Sequence, residues 1–214
     1  MIKQRKKSSK KSDFFRVGRG KSRTSTSGVA LILLAAGGSA RYGNPKQLIP
    51  FKGRTLLRHL AEVCVASKAE SVHVVLGAYA ELLKFQLLGL PLRVIHHTRW
   101  SDGLSSSLRV AMKNLPKSAK AVLIVLCDQP HVSTELLNKI IDLHLSKGPQ
   151  IVACEYGDSL GVPALFEKRF FPELMNIAGD RGAKQIILKH RNKVASIPFP
   201  KGMIDINTRR DKAL

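Results

Sequence analysis

Acidic residues are scarce in this 214-residue chain: Asp and Glu number 15 against 36 Lys and Arg, a formal net charge of +21. So basic a balance implies anionic partners: nucleic acid, anionic membrane or phosphorylated small molecules. Cysteines are also few. Cys64, Cys127 and Cys154 form no C-x-x-C pair. An odd, scattered set excludes a disulfide framework and a structural zinc site, and it fits a reducing cytoplasm. No apolar run nears the roughly 20 residues of a membrane span. The longest, such as residues 29–36 and 121–127, are far shorter. No apolar segment follows the basic N-terminus, so no secretory signal is expected. The seven histidines lack metal-ligand spacing, and no G-x-S-x-G elbow appears. A single Trp and the lack of an aromatic-interleaved basic stripe weigh against a nucleic-acid module.

The chain does have apolar content, 44% of its residues, enough for one domain with a full core. Residues 1–27 are polar, Ser-rich and aperiodic, and are predicted to be a disordered basic tail. Ten Lys and Arg there face only Asp13, so the tail supplies +9 of the charge and leaves +12 for residues 28–214. From Val29 onward, apolar runs at 29–34, 71–76, 92–96, 121–126 and 150–154 alternate with amphipathic stretches at 55–67, 80–88, 105–115 and 134–145. Near-continuous apolar strands separated by helices predict an α/β domain: three layers, α/β/α, doubly wound around a mostly parallel sheet. Beyond Gly157 the pattern loosens. A short β segment near 162–166, a helix near 183–190 and a last strand at 203–206 are predicted.

Ligands of such sheets bind beyond the carboxyl ends of the strands. After the first apolar strand comes Ala35-Ala36-Gly37-Gly38-Ser39-Ala40-Arg41-Tyr42-Gly43-Asn44-Pro45-Lys46-Gln47. Small residues let a backbone approach a ligand, and exposed N–H groups cradle phosphate oxygens. Arg41 and Lys46 add positive charge to the same loop. A Walker A loop fails because Asn44 follows Gly43 where Lys is needed. A dinucleotide fingerprint fails because the second strand ends in Leu76-Gly77-Ala78, without an acidic residue.

Three further segments carry chemistry. Trp100-Ser101-Asp102-Gly103-Leu104-Ser105-Ser106-Ser107-Leu108-Arg109 opens a helix whose N–H groups and hydroxyls suit an anion or a base edge. Asp128 follows the strand 121–126, where a carboxylate can bind magnesium. In Met203-Ile204-Asp205-Ile206-Asn207, alternation predicts that Asp205 and Asn207 share one strand face.

The loop Leu34-Ala35-Ala36-Gly37-x-Ser39-x-Arg41-x-Gly43-x-Pro45-Lys46 resembles the signature of the molybdenum cofactor cytidylyltransferase family, the MocA/MobA-like NTP transferases. The Gly103–Arg109 stretch, Cys127-Asp128-Gln129-Pro130, Gly161-Val162-Pro163 with Gly179-Asp180-Arg181-Gly182-Ala183-Lys184, and Asp205-Ile206-Asn207-Thr208 follow in that family's order. The resemblance implies a Rossmann-like nucleotidyltransferase fold and a soluble transferase. It implies that Leu34, Ala35, Ala36, Gly37, Gly38, Ser39, Arg41, Lys46, Gly103, Ser105, Ser106 and Ser107 bind a nucleoside triphosphate. Arg41 and Lys46 would be catalytic, Asp128 and Asp205 would hold Mg2+, and Pro163, Gly182 and Lys184 would meet the acceptor. The Ala35-Ala36 pair leans toward CTP, and the implied acceptor is a molybdenum–pterin cofactor. An apo-molybdoenzyme or its chaperone is a further implied partner; no membrane is, and nucleic acid only through the tail. Other acceptors (polyol or sugar phosphates), GTP in place of CTP, and a non-catalytic cofactor-carrying chaperone stand as alternatives. Asn207 replaces an aspartate common in the family, and His97 an asparagine.

Overall fold

The computed structural model describes residues 14–17 (backbone alone), 27–39, 42–179 and 182–206. In chain order its elements are β1 (Phe14–Val17), β2 (Val29–Ala35), β3 (Pro50–Phe51), β4 (Arg54–Thr55), α1 (Leu56–Ala66), β5 (Ser71–Leu76), α2 (Ala80–Leu83), β6 (Leu92–His96), α3 (Leu104–Lys113), β7 (Ala121–Leu126), α4 (Thr134–Lys147), β8 (Ile151–Tyr156), β9 (Ser159–Glu167), α5 (Phe171–Met175), α6 (Lys184–Lys189) and β10 (Val194–Pro198). The large sheet has the order β1-β6-β5-β2-β7-β9-β8-β10. Its strands are mostly parallel; β1 and β9 run against their neighbours. The doubly wound class predicted from the apolar runs is therefore what forms.

β2 explains the layering. All seven of its residues are buried. Val29, Leu31, Leu33 and Ala35 face one core with α1 and α4, while Ile32 and Leu34 face the other with α3, α5 and α6. Period-two alternation thus feeds two helical layers from one strand. The helix ends follow local chemistry. Thr55 Oγ1 accepts from Arg58 N (3.3 Å) to cap α1, and Ser133 Oγ accepts from Leu136 N (3.2 Å) to cap α4.

The topology also places the cleft. From β2 the chain winds outward to β5 and β6, then crosses back to β7 on the other side of β2. The strand order reverses between β2 and β7, and a crevice opens where their carboxyl ends diverge.

Several expectations need correction. The predicted strand at 203–206 does not form. Pro200–Met203 is a 3-10 turn and 204–206 lies in no regular element, because Pro200 starts a turn that an extended strand cannot enter. The shared strand face proposed for Asp205 and Asn207 goes with it, and Asn207 lies outside the described residues. The β segment near 162–166 is not short: β9 is a nine-residue strand from Ser159 to Glu167, stabilised by pairing with both β7 and β8. The stretch 80–88 is one α turn followed by a 3-10 turn, Lys84–Leu87. β10 was not anticipated. Its burial is partial throughout, it ends in Pro198, and such an edge strand carries little apolar signal. Within the predicted tail, Phe14–Val17 pairs antiparallel with β6; its Phe, Phe and Val are residues that favour strands. The rest of that tail, 1–13 and 18–26, lies outside the described residues. No helix among the described residues is long and apolar enough to cross a membrane.

Candidate active site

The loop after β2 keeps its shape through one buried amide. Gln47, 1% exposed, donates from Nε2 to the carbonyls of Ala35 (3.0 Å) and Gly37 (2.9 Å). Ser39 Oγ accepts from Lys46 N (3.1 Å) and donates to Gln47 Oε1 (3.4 Å), closing the loop on itself. Ser39 has φ +54°, in the left-handed region that a non-glycine residue enters only when its surroundings hold it there. The side chains of Leu34, Ala35 and Ala36 are buried, so they can offer a ligand only main-chain groups. Gly37 is exposed, and Gly38 and Ser39 are half-buried. Arg41 lies outside the described residues.

Lys46 reaches across the cleft from this loop. Its Nζ donates to Asp128 Oδ2 at 2.8 Å, joining the loop after β2 to the end of β7. Asp128 is brought there by main-chain ties: Cys127 N donates to Leu34 O (3.0 Å), and Ile206 N donates to Asp128 O (2.9 Å). The second tie sets Asp205 beside Asp128 without the predicted strand. The Asp205 carboxyl is pushed up to about 6, first by partial withdrawal from water and then by the charge of Asp128; Lys46 acts the other way.

Could these residues hold a divalent cation? Asp128 Oδ1 is buried and has no hydrogen-bond partner among the described residues. A buried carboxylate oxygen without a donor is costly unless a cation meets it. Two mutually repelling carboxylates with an unmet oxygen form an oxygen donor set suited to Mg2+, which takes one or two carboxylates and completes its shell with water and substrate phosphate. No group of three or more His, Cys, Asp or Glu gathers among the described residues. Asp128 and Asp205 are the two carboxylates that could serve it.

The α3 segment is tied into the protein through its serines. Gly103 has φ +90° and ψ 178°, which only glycine adopts readily, and this aims the chain into α3. Ser105, Ser106 and Ser107 are all buried. Ser105 Oγ donates to Gly179 O. Ser106 Oγ donates to Gly103 O (2.7 Å) and pairs with His97 Nε2 (2.8 Å), whose ring is held below its ordinary pKa chiefly by burial. Arg109 Nη1 donates to Ile177 O. Two of these hydroxyls are therefore engaged with the protein, and the helix grips the loop residues 177–179.

Beneath that loop lies a cavity of about 170 Å³, lined mainly by apolar side chains such as Leu34, Leu108 and Leu126, with Val162, Gly182 and Lys184 also in its wall. Of the predicted acceptor residues, Gly182 and Lys184 line it; Pro163 is buried alongside and does not. Two contributors were missed in the sequence. Gln47 carried a signal in being an amide, able to donate twice, within a loop rich in unpaired carbonyls. Trp100 was quoted only as the start of the α3 segment.

The sequence model of the MobA-like NTP transferase domain matches residues 31–194. This chain belongs to that family. It is therefore a nucleotidyltransferase by family, and Lys46 and Asp128 both lie in the matched stretch. Among curated relatives it is similar to nicotine blue oxidoreductase of Paenarthrobacter nicotinovorans, 30% identical over 160 residues, covering 72% of this chain and 78% of that one. It is also similar to the purine catabolism protein PucB of Bacillus subtilis, 26% identical, with 73% and 78% covered. Among solved structures, Rv0371c of Mycobacterium tuberculosis H37Rv superposes with a TM-score of 0.75 at 28% identity, covering 86% of this chain and 95% of that one. A further structure of Rv0371c is a complex with manganese.

Proposed function

We propose that this MobA-like transferase moves CMP from CTP to the phosphate of a molybdenum–pterin cofactor, releasing pyrophosphate. The observation that carries the reading is the Lys46–Asp128 pair with Asp205 beside it, set at the strand-order reversal between a phosphate-shaped loop and a separate cavity. Under this reading the main chain of residues 35–39 receives the triphosphate, with Arg41 and Lys46 as the cationic groups. Gly103 and the start of α3 at Ser106 and Ser107 form the far wall of the nucleotide site, while Ser105, bonded to Gly179 O, serves the acceptor side. Asp128 and Asp205 would hold Mg2+, whose charge supplies neutralisation on the phosphate oxygens. The manganese complex of Rv0371c supports a divalent cation in this fold.

Lys46 then has two partners to choose between. It rests on Asp128 and turns its ammonium to the α-phosphate as negative charge gathers there. An oxygen of the acceptor phosphate attacks the α-phosphorus, the bond to the bridging oxygen breaks, and pyrophosphate leaves with that electron pair. An ionised phosphate carries no proton to remove, so the chain's work is positioning and charge neutralisation. Val162, Gly182 and Lys184 border the cavity on the acceptor side. At about 170 Å³ it is below the size of a whole ligand site and takes only part of an acceptor.

The test is pyrophosphate release with Mg2+, comparing CTP, GTP and ATP, each with and without molybdenum–pterin cofactor. Release that needs the cofactor and prefers CTP supports the reading. Preference for GTP would replace the base; release with a sugar or polyol phosphate alone would replace the acceptor.

A further inference from the structure

We infer that Trp100 is a positioning residue for the triphosphate loop; this rests on the nucleotidyl reading above. Trp100 is the chain's single tryptophan. It opens the 3-10 turn Trp100–Asp102 between β6 and α3 and is 37% exposed. It belongs to neither buried core cluster, so filling the interior is not its purpose.

Its contacts are with two glycines on neighbouring loops. The six-membered ring lies against Gly38: a Cβ built there would stand 2.8 Å from both Cζ3 and Cη2. The base of the same side chain lies against Gly77, where a Cβ would stand 2.8 Å from Cγ and 2.6 Å from Ala36 O. Real Cβ atoms do not come so close, so both positions require glycine for the indole to lie flat. Gly38 follows β2 and Gly77 follows β5, and Ala78 N donates to Ala36 O (3.0 Å) to fasten the two loops. The indole is thus a rigid plate across that junction.

The loop 37–39 is clamped from both sides. Gln47 holds its carbonyls from within. Trp100 backs Gly38 from the other side, next to the left-handed Ser39. A loop that needs such a backbone conformation relaxes when one side is removed. Relaxation would scatter the N–H groups that must converge on phosphate oxygens. Trp100 therefore acts through Gly38 on the phosphates, not through contact with the base.

The experiment uses the full chain with Mg2+ and two probes, CTP and inorganic tripolyphosphate, in titration calorimetry. Trp100→Ala should weaken both probes by about tenfold, a loss typical of a displaced binding group. Trp100→Phe, which keeps the packing on Gly77 but lacks the indole's distal atoms over Gly38, should recover both only in part. Wild-type tryptophan emission should shift on adding tripolyphosphate alone, which a merely structural side chain would not show. Gly38→Ala, with the indole retained but pushed aside, should reproduce the loss and serves if Trp100→Ala fails to fold. Unchanged tripolyphosphate binding in a folded Trp100→Ala overturns the inference, including the case where CTP alone weakens and the indole touches the base. If wild type binds neither probe, the nucleotidyl reading itself falls.

Discussion

On the nucleotide side of the cleft, the loop after β2 is tied by a buried glutamine, a serine hydroxyl and an indole plate. On the side proposed for the acceptor, residues 177–179 are held by donors to three main-chain carbonyls: Arg109 to Ile177, Gln185 to Ala178 and Ser105 to Gly179. The first loop is over-determined, which under the proposed reading keeps one shape for one ligand group, the triphosphate. The second runs on to Gly182 and Lys184 in the wall of an apolar cavity. A fold that keeps its phosphate loop fixed can change acceptors by altering the other lip alone.

Substitutions can break or sharpen the contrast. The largest effect is expected at the metal pair: Asp128→Ala should lose metal-dependent turnover while keeping its thermal midpoint, since a partly exposed ion pair contributes little to stability. Lys46→Ala should lower turnover by roughly two to three orders of magnitude, as loss of one preorganised donor does. Near-normal turnover in either variant would remove that residue from the chemistry. Gln47→Ala comes next. It withdraws the donor from two carbonyls and should destabilise the fold by about 1–3 kcal/mol, read by thermal unfolding. It should weaken nucleotide binding with it; a stable variant with slack nucleotide binding would split the two roles. Ser105→Ala should then raise acceptor KM about fivefold, the worth of about one hydrogen bond, and leave nucleotide affinity alone. A matching loss of nucleotide affinity would return Ser105 to the nucleotide site and erase the contrast. Lys184→Ala is the smallest: a few-fold rise in acceptor KM that fades with salt, because the side chain is exposed.

The sequence is legible where local pattern and fold agree. The run Val29 to Leu34 had to be a doubly covered strand, and Thr55 and Ser67 marked both ends of α1. Asp128 was visible because a carboxylate right after a buried strand lands at the crevice. What escaped depends on contacts between segments distant in sequence. Asp205 was assigned to a strand face, yet Ile206 bonding to Asp128 O positions it. The three serines looked like ligand groups because hydroxyls at a helix start suit anions; burial against His97 and Gly179 comes from packing that no spacing reveals. Trp100 gave no periodic signal, since its partners are glycines 62 and 23 positions away.

The central claim is that chemistry occurs at the α-phosphorus, between Lys46 and the Asp128–Asp205 pair. The most direct measurement is phosphorus NMR of CTP with Mg2+ and the molybdenum–pterin acceptor, run on wild type and on Asp128→Ala. The account predicts the signals of a new disubstituted diphosphate and pyrophosphate in equal amounts for wild type, and neither for the variant. Release of the γ-phosphate alone, or equal product from the Asp128→Ala chain, would contradict it.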